Sequence, residues 1–317
     1  MKISLLEPLG VSRETIEELA AGFKGQGHTF VYYDEKTTDP EELKKRSLDS
    51  DIVMIANNPY PAEVVSGLDQ LKMLSVAFTG IDHVAVEECR KKGIMICNAA
   101  GYSDQTVAEL VIGMAVDAMR NVKNGDKAVR EGKTSAGIGG REIGGRTVGI
   151  IGLGKIGLRA AKLFLAFGAH VIACNRSENE EAKALGITYV SLEQLLRESD
   201  IISLNMPLND ETRGFIGAEQ IAMMKPDAVF INCARGPIVD NGALARALND
   251  GRLGFVCADV FDMEPPLPAD YPLLSAKNTL LTPHQAFISE ESMLRRARIV
   301  FDNVYAYLAG NPQNVCK

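Results

Sequence analysis

The sequence lacks an excess of basic residues. Lysine and arginine number 34 against 41 aspartates and glutamates, which gives a formal net charge of −7. A protein face that binds nucleic acid must neutralise phosphates, so this balance argues against nucleic acid as a partner. It leaves a small acidic substrate open, because such a substrate needs only one local cation.

The sequence also lacks paired cysteines and long apolar runs. Its six cysteines form no C-x-x-C pair and have no histidine at metal-ligand spacing, so we expect reduced thiols and no metal site. No run reaches the roughly 18 apolar residues of a membrane span. The N-terminus, Met1–Pro8, contains charge and proline too early for a signal peptide. These absences predict a cytoplasmic protein with no membrane partner.

What the sequence does contain is a repeated alternation of strand-like and helix-like segments. Its 317 residues suggest two domains, at roughly 150 residues each. Five apolar strand segments alternate with helices over residues 1–100, which predicts a parallel sheet covered by helices. The last predicted helix, Glu290–Leu308, has no strand after it, so we expect it to return to the first domain.

The predicted fold is therefore α/β, with two Rossmann-like or flavodoxin-like domains that are doubly wound parallel sheets. A substrate (catalytic) domain is expected over residues 1–100 and 288–317, with a dinucleotide-binding domain of residues 101–287 inserted into it. From Thr147 onward we predict six strands with crossover helices. A long helix predicted over Ser103–Arg130 has a wide apolar stripe, which fits a subunit interface or packing between the domains.

A glycine-rich turn stands at the start of the second block. The β-branched run Val148–Ile151 is followed by the turn, and then by apolar residues at helical spacing. After a strand, a G-x-G-x-x-G turn presents unpaired N–H groups at a helix N-terminus to a phosphate. A turn that only connects two elements is the alternative. The pattern favours dinucleotide binding, by Gly152, Gly154, Lys155, Ile156 and Gly157.

Three further motifs follow in order. They are Asn232–Asp240 (NCARGPIVD), Asp259–Pro265 (DVFDMEP) and Leu281–His284 (LTPH). With the glycine turn, they closely resemble the D-isomer-specific 2-hydroxyacid dehydrogenases, and the resemblance covers essentially the whole chain. It implies an oxidoreductase that acts on CH–OH donors, by reversible NAD(P)-dependent hydride transfer between a 2-oxo acid and a D-2-hydroxy acid.

The resemblance implies that Arg235, Glu264 and His284 are catalytic. The planar guanidinium of Arg235 suits the substrate's carboxylate and carbonyl oxygens. An imidazole has an ordinary pKa of about 6.5, so His284 suits proton donation and uptake at the substrate. Glu264 would orient that ring and favour its charged form. Singly, the three residues fit a surface turn, a loop charge and a core histidine, whereas their joint order favours an active site.

The resemblance also implies further cofactor contacts. Asp259 matches the residue that binds the carboxamide, although an aspartate at a strand end can equally cap a turn. Pro207 matches the segment on the adenine side. Thr106 matches a position near the nicotinamide and phosphates, and Cys233 is assigned to the same site.

The end of the second nucleotide strand departs from the usual NAD pattern. Residues 173–177 read ACNRS, where an NAD-specific domain has Asp or Glu for the ribose hydroxyls. The amide of Asn175 lacks the charge that would repel a 2′-phosphate, and Arg176 and Ser177 can hold that phosphate. Three glutamates that follow, Glu178, Glu180 and Glu181, disfavour a 2′-phosphate, but solvent screens their charges. The sequence thus favours NADP(H) over NAD(H).

The substrate loops favour a small acid. Phe78–His83 (FTGIDH) looks most like glyoxylate and hydroxypyruvate reductases, and is implied to hold the substrate carboxylate through Thr79 and Gly80. The loop Asn57–Tyr60, expected to face the substrate's side chain, has no Arg or Lys for a phosphate. This loop and a chain end at residue 317 count against D-3-phosphoglycerate. Phe287 keeps D-lactate-type substrates open.

A different functional class stays open. The family's corepressor members, which are nucleotide-sensing scaffolds, resemble this chain and retain the same three residues. The absence of disordered flanks favours an enzyme. The family is typically dimeric, so we expect a homodimer whose only other partner is a small 2-oxo or 2-hydroxy acid.

Overall fold

The computed structural model describes residues 1–316, which form two compact units. The first consists of Met1–Ser103 and the segment from Ile288 onward. The second is Asp104–Phe287. Among the described residues, no helix is long and apolar enough to cross a membrane. All six cysteines are free thiols.

The first unit contains a five-stranded parallel sheet in the order β2-β1-β3-β4-β5. The strands are β1 (Lys2–Leu5), β2 (Thr29–Tyr32), β3 (Ile52–Ile55), β4 (Met73–Val76) and β5 (Met95–Cys97), and the helices between them are α1 (Arg13–Gly25), α2 (Pro40–Ser47), α3 (Ala62–Ser66) and α4 (Val86–Lys91). Every residue of β3 and β4 is buried, because helices cover both faces of the sheet. The predicted parallel α/β sheet is confirmed.

The second unit contains a seven-stranded parallel sheet in the order β12-β11-β10-β9-β6-β7-β8. Its helices are α5 (Asp104–Arg120), α6 (Val122–Arg130), α7 (Lys155–Ala166), α8 (Glu180–Ala184), α9 (Leu192–Glu198), α10 (Ala218–Ala222) and α11 (Asn241–Asn249), and its strands are β6 (Thr147–Ile151), β7 (His170–Cys174), β8 (Thr188–Tyr189), β9 (Ile201–Leu204), β10 (Val229–Asn232), β11 (Phe255–Ala258) and β12 (Thr279–Leu281). The doubly wound class is confirmed, but the count of six strands is wrong. The sheet has seven strands, because the short segment at Thr188–Tyr189 pairs with β7 as a separate edge strand.

The last helix, α12 (Glu290–Leu308), belongs to the first unit and packs against α1 and β4. Apolar side chains at Met293, Ala297, Val300 and Val304 recur at helical spacing and are buried. Phe301 stacks on Phe23 of α1 with ring centroids 5.7 Å apart. The sequence at the two ends of the chain thus shares one core.

The helix predicted over Ser103–Arg130 is two helices rather than one. Asn121 separates α5 from α6 and adopts a left-handed backbone, with φ 55°. Asparagine tolerates this conformation better than most residues, and its amide donates to the carbonyl of Gly139. The buried apolar face of α5 packs on α7 within the same unit, and the sequence pattern alone did not distinguish this packing from an interface.

Candidate active site

In the second unit, loops leave the carboxyl ends of the seven parallel strands along one edge of the sheet, where open α/β sheets bind their ligands. Apart from Thr106, the predicted residues of this unit all follow such a strand: Gly152–Gly157 after β6, Asn175–Ser177 after β7, Pro207 after β9, Cys233 and Arg235 after β10, Asp259 and Glu264 after β11, and His284 after β12. The topology therefore brings motifs that are far apart in sequence to one edge.

The glycine turn after β6 has the backbone that its sequence predicts. Gly152 adopts a left-handed φ of 87°, and a Cβ there would lie 2.8 Å from the carbonyl oxygen of Asn205. A Cβ on Gly157 would lie 2.1 Å from the carbonyl oxygen of Gly152. Both positions therefore exclude any side chain, and the turn packs directly against the start of α7.

The middle glycine differs from its neighbours in a way that fits a bound diphosphate. Gly154 is exposed, and a Cβ there would meet nothing within 4 Å. It is the N-cap of α7, a 12-residue helix whose first N–H groups have no partner within the helix. The first turn begins with Lys155, which is exposed, and Ile156, which is half-buried. Open space, unpaired N–H groups and the positive end of a helix dipole fit a dinucleotide's phosphates.

Asn175 uses its amide to brace the turn. Its Oδ1 accepts from the N–H of Leu153 at 3.1 Å, and its Nδ2 donates to the carbonyl of Ser177 at 2.7 Å. An aspartate could make the first contact but not the second, because it has no N–H to donate. Asn175 therefore fixes the conformation of the loop and adds no negative charge to it.

The charges around Arg176 are arranged in local pairs. Arg176 faces Glu211 at 3.6 Å, and both side chains are largely exposed. Lys183 pairs with Glu178 and Glu180, while Lys162 pairs with Glu181. Each of the three glutamates expected to repel a 2′-phosphate thus forms an ion pair with a lysine. Glu211 carries the nearest acidic charge to Arg176, and sequence reading missed it because the two lie 35 positions apart.

His284 and Glu264 form a hydrogen-bonded pair beyond the ends of β12 and β11. Nδ1 of His284 lies 2.9 Å and 3.0 Å from the two carboxylate oxygens of Glu264, so this nitrogen carries a proton. The imidazole is mostly buried, at 14% exposure, and Glu264 is 72% exposed. The ring also meets Phe287 edge-on, with centroids 5.5 Å apart. Both neighbours fix the orientation of the ring.

Asp259 holds the segment that carries His284. One oxygen accepts from Thr282 Oγ1 at 2.5 Å and from the N–H of Gln285 at 2.9 Å, and the other accepts from the N–H of Ala286 at 2.8 Å. His284 itself has a left-handed φ of 53° and donates its N–H to the carbonyl of Asp259. Burial raises the pKa of Asp259, although these hydrogen bonds oppose the rise. The turn-capping alternative is therefore present, and Thr282 is a contributor that sequence reading missed.

Arg235 is held at the end of β10 by its own loop. Its carbonyl accepts from Asn232 Nδ2 at 3.1 Å, and Oδ1 of the same asparagine accepts from the N–H of Ala234 at 3.0 Å. A Cβ on Gly236 would lie 1.8 Å from the carbonyl carbon of Phe261, so this glycine packs on the segment that leads to Glu264. Asn232 and Gly236 stand in the quoted motif, but only the contacts reveal what they do.

Three other residues predicted to contact the cofactor, Cys233, Pro207 and Thr106, lie on different elements of the second unit. Cys233 is half-buried with its sulfur 3.6 Å from that of Met114, and Pro207 is exposed, with its carbonyl accepting from Thr212. Thr106 lies in the first turn of α5, half-buried. None of these contacts tests a role in binding, and the assignments stay predictions.

Thr79 and Gly80 lie in the first unit, just beyond β4. The carbonyl of Thr79 accepts from Asn98 Nδ2 at 2.8 Å, which fixes the start of the loop. Oγ1 of Thr79 is buried and has no hydrogen-bond partner within residues 1–316. Nearby, Nε2 of His83 lies 2.9 Å from the carbonyl of Ala56, so this histidine braces the main chain. Across the same described range, no three His, Cys, Asp or Glu residues are grouped to hold a metal ion.

Comparison with known families shows which family the chain belongs to. The family model described as "D-isomer specific 2-hydroxyacid dehydrogenase, NAD binding domain" matches residues 112–286. The chain belongs to the D-isomer-specific 2-hydroxyacid dehydrogenase family. It is an NAD(P)-dependent oxidoreductase of that family, acting on CH–OH donors, so the family and the enzyme class predicted from the motifs are confirmed.

Relatives of this dehydrogenase match it over most of its length. A protein named glyoxylate reductase from Korarchaeum cryptofilum is 35% identical over 96% of this chain and 94% of its own length. One named hydroxypyruvate reductase from Blautia hydrogenotrophica is 34% identical over 93% of each chain. A solved structure of an acyclic imino acid reductase with NADPH and D-Arg superposes with TM-score 0.90 and 28% identity, covering 100% of both chains.

Proposed function

We propose that this dehydrogenase is an NADPH-preferring reductase that converts small 2-oxo acids, above all glyoxylate and hydroxypyruvate, to D-2-hydroxy acids, reversibly. The observation that carries the proposal is the His284–Glu264 pair, which lies at the same sheet edge as Arg235 and the open glycine turn. The names of the two curated relatives support the choice of acids.

Each charged side chain has one task in the proposed reaction. Arg235 binds the carboxylate and carbonyl oxygens of the acid, because its fork of donors matches two acceptors at once. When bound, the reduced nicotinamide supplies the hydride. His284 gives a proton from Nε2 to the forming alkoxide, since Nδ1 faces Glu264. Glu264 stabilises the charged imidazole before transfer and keeps the ring oriented afterwards.

The first unit serves in this proposal as the substrate domain, and the second as the dinucleotide-binding domain. The main chain at Thr79 and Gly80 would bind the substrate carboxylate, with the unsatisfied Thr79 hydroxyl as a further donor. Asn57–Tyr60 would meet the substituent beside the carbonyl. This segment has no cation for a phosphate, which favours uncharged substituents.

The second unit would hold NADPH along its sheet edge. Gly152, Gly154 and the first turn of α7 suit the diphosphate, and Arg176 with Ser177 suits the 2′-phosphate. The pairing of the nearby glutamates with lysines supports this preference, since it reduces their repulsion of a phosphate. Pro207, Cys233, Asp259 and Thr106 would complete the contacts, as the family resemblance implies.

We propose further that the protein is a cytoplasmic homodimer without nucleic-acid or membrane partners. The family resemblance supports the dimer, and the acidic charge argues against nucleic acid. Size-exclusion chromatography with light scattering tests the oligomeric state.

The decisive experiment follows NADPH and NADH oxidation with glyoxylate, hydroxypyruvate, pyruvate and branched 2-oxo acids, with chiral analysis of the product. We expect the highest kcat/KM for NADPH with glyoxylate or hydroxypyruvate, and a D product in the second case. A higher kcat/KM with NADH overturns the cofactor preference. No turnover with any acid, alongside tight cofactor binding, would instead favour the corepressor-like scaffold.

Two glycine variants test the cofactor cradle. Gly154→Ala adds a methyl group to open space, so we expect normal thermal stability and roughly tenfold weaker NADPH binding. Gly157→Ala is the matched variant whose methyl group would collide with main chain, and it should lower stability as well. Unchanged NADPH affinity in Gly154→Ala would remove this turn from the proposed site.

A further inference from the structure

The carboxyl edge of the first unit's sheet is a candidate ligand-binding edge. Its strand order places β1 between β2 and β3, and in sheets of this order ligands bind beyond the carboxyl ends of the strands, where the winding reverses. The chain leaving β1 and the chain leaving β3 flank this point. They are the segment that begins at Leu6 and the segment 56–60.

A buried carboxylate joins these two segments. Glu7 is only 1% exposed, and its Oε1 accepts from the N–H groups of Ala56 at 2.7 Å and Asn58 at 3.1 Å. Burial raises the pKa of Glu7, while these hydrogen bonds and the charges of Lys36 and Arg296 favour its ionised form. A carboxylate is costly to bury, so its place here requires these partners.

The segment after β3 is held on its other side as well. His83 contacts both ends of the segment. Its Nε2 lies at hydrogen-bond distance from the carbonyl of Ala56, and its main-chain carbonyl accepts from the N–H of Tyr60 at 2.8 Å. Asn58 Nδ2 donates to the carbonyl of Thr37 at 2.7 Å. The main chain of the segment is therefore fixed, although it forms no helix or strand.

Burial alternates along this segment. Ala56, Asn58 and Tyr60 are buried, whereas Asn57 is half-buried and Pro59 is exposed. The two residues whose N–H groups face Glu7 flank Asn57, so the carboxylate sets the direction in which Asn57 projects. A shift of the main chain here would move the Asn57 amide relative to a ligand at this edge.

We propose that Glu7 is a positioning residue for substrate selection, which fixes Asn57 through the N–H groups of Ala56 and Asn58 and so sets which substituents beside the carbonyl are accepted. This inference rests on the proposed reduction of 2-oxo acids. Glu7 touches neither substrate nor cofactor in this scheme. Its effect should therefore appear in selectivity among acids rather than in the chemical step.

The test compares variants at the two ends of β3. Glu7→Ala removes the acceptor, Glu7→Asp retracts it, and Glu7→Gln keeps an oxygen that can accept both N–H groups. The matched control is Asp51→Ala at the amino end of the strand, where Asp51 accepts from the N–H of Lys2 and from Lys72 Nζ. For each protein we would measure kcat and KM with glyoxylate, which has only hydrogen beside its carbonyl, and with hydroxypyruvate, which has a hydroxymethyl group.

We expect Glu7→Ala and Glu7→Asp to raise KM for hydroxypyruvate about tenfold, with kcat and the KM for glyoxylate within about threefold of wild type. Glu7→Gln should restore the wild-type ratio, and Asp51→Ala should leave it unchanged. An equal loss with both acids overturns the proposal, as does failure of glutamine to rescue or a changed ratio in Asp51→Ala. If Glu7→Ala does not fold, the aspartate variant decides.

Hydrogen exchange separates this inference from the proposed function. Peptides covering residues 54–60 should exchange faster in Glu7→Asp than in wild type, and at the wild-type rate in Glu7→Gln and Asp51→Ala. Unchanged exchange in Glu7→Asp overturns the positioning role. A wild-type protein that reduces no 2-oxo acid overturns both the proposed function and the selection role, whatever the exchange shows.

Discussion

The two sheets use the same device at their carboxyl edges. In the second unit, buried Asp259 follows β11 and accepts from main-chain N–H groups beyond the neighbouring β12. In the first unit, buried Glu7 follows β1 and accepts from main-chain N–H groups beyond the neighbouring β3. A buried acid that reaches across to the next loop fixes irregular main chain where no ladder of hydrogen bonds can do so.

The two acids differ in what they hold and in how many oxygens they use. Asp259 uses both oxygens and holds a segment that contains His284, whose backbone is left-handed. Glu7 uses one oxygen for two N–H groups and holds a neutral segment. In the proposed reaction, the edge at Asp259 serves proton transfer and the edge at Glu7 serves substrate recognition.

Alanine substitutions of His284 and His83 should give the largest contrast in kcat. His284→Ala removes the proposed acid, so we expect kcat to fall by about 10²- to 10⁴-fold with little change in NADPH affinity. His83→Ala removes a side chain that contacts the Ala56 carbonyl and the Phe78 ring and has no role in the proposed proton transfer, so kcat should stay within about tenfold of wild type. Steady-state kinetics and fluorescence titration with NADPH measure both. Comparable losses of kcat in the two variants would contradict the division between the edges.

Amide substitutions at the two buried acids should give the next largest contrast. Asp259→Asn loses one of two accepting oxygens and places an NH₂ group against an N–H, so the His284 segment shifts and kcat falls by about 10- to 100-fold. Glu7→Gln keeps the single oxygen that it needs, and its kinetics should stay close to wild type. A harmless Asp259→Asn would show that Asp259 does not hold His284 in place.

The exposed pair of Arg176 and Glu211 should give a smaller effect. Arg176→Ala is expected to lower kcat/KM for NADPH about tenfold without changing that for NADH. Glu211→Gln removes the competing charge and should raise kcat/KM for NADPH by no more than about threefold, because exposed pairs are weak. Arg197→Ala, which breaks an exposed pair on α9, is the control. An equal loss with both cofactors in Arg176→Ala would exclude 2′-phosphate recognition by this residue.

The smallest expected effect is on thermal stability. Amide substitutions of Glu7 and Asp51, the acids at the two ends of β3, should shift the melting temperature at pH 7 in opposite directions. Because the pKa of Glu7 is raised, the folded protein binds this proton more tightly than the unfolded chain, and stability is lost as pH rises above the ordinary value of 4.5. Glu7→Gln should therefore raise the apparent melting temperature at pH 7 by about 2 °C, with no gain below pH 4.5.

Asp51 provides the opposite case for the same measurement. Burial opposes its ionisation, but hydrogen bonds from Lys72 and from the N–H of Lys2 outweigh burial and lower its pKa. Its ionised form thus stabilises the fold above the ordinary value of 3.8, and the benefit is lost as pH falls. Asp51→Asn should lower the melting temperature at pH 7. Shifts of the same sign in both variants would refute this account.

Much of the fold could be predicted because its signals are local. Apolar strands, the helical spacing of Met293 to Val304 and the glycines of the turn depend on a few neighbouring residues. The break at Asn121 is also local, but left-handed backbone at an asparagine is optional, and the sequence around it continues a helical pattern.

The sequence by itself determined the fold class, the family and the glycine turn, and it selected Arg235, Glu264 and His284 as candidate catalytic residues. Only the tertiary structure decided that Asp259 caps a segment 27 positions away and that Glu7 reaches Asn58 across 51 positions. The reason is physical. A motif records which chemical groups are present, whereas a hydrogen bond between distant residues exists only once strand order has placed their loops side by side.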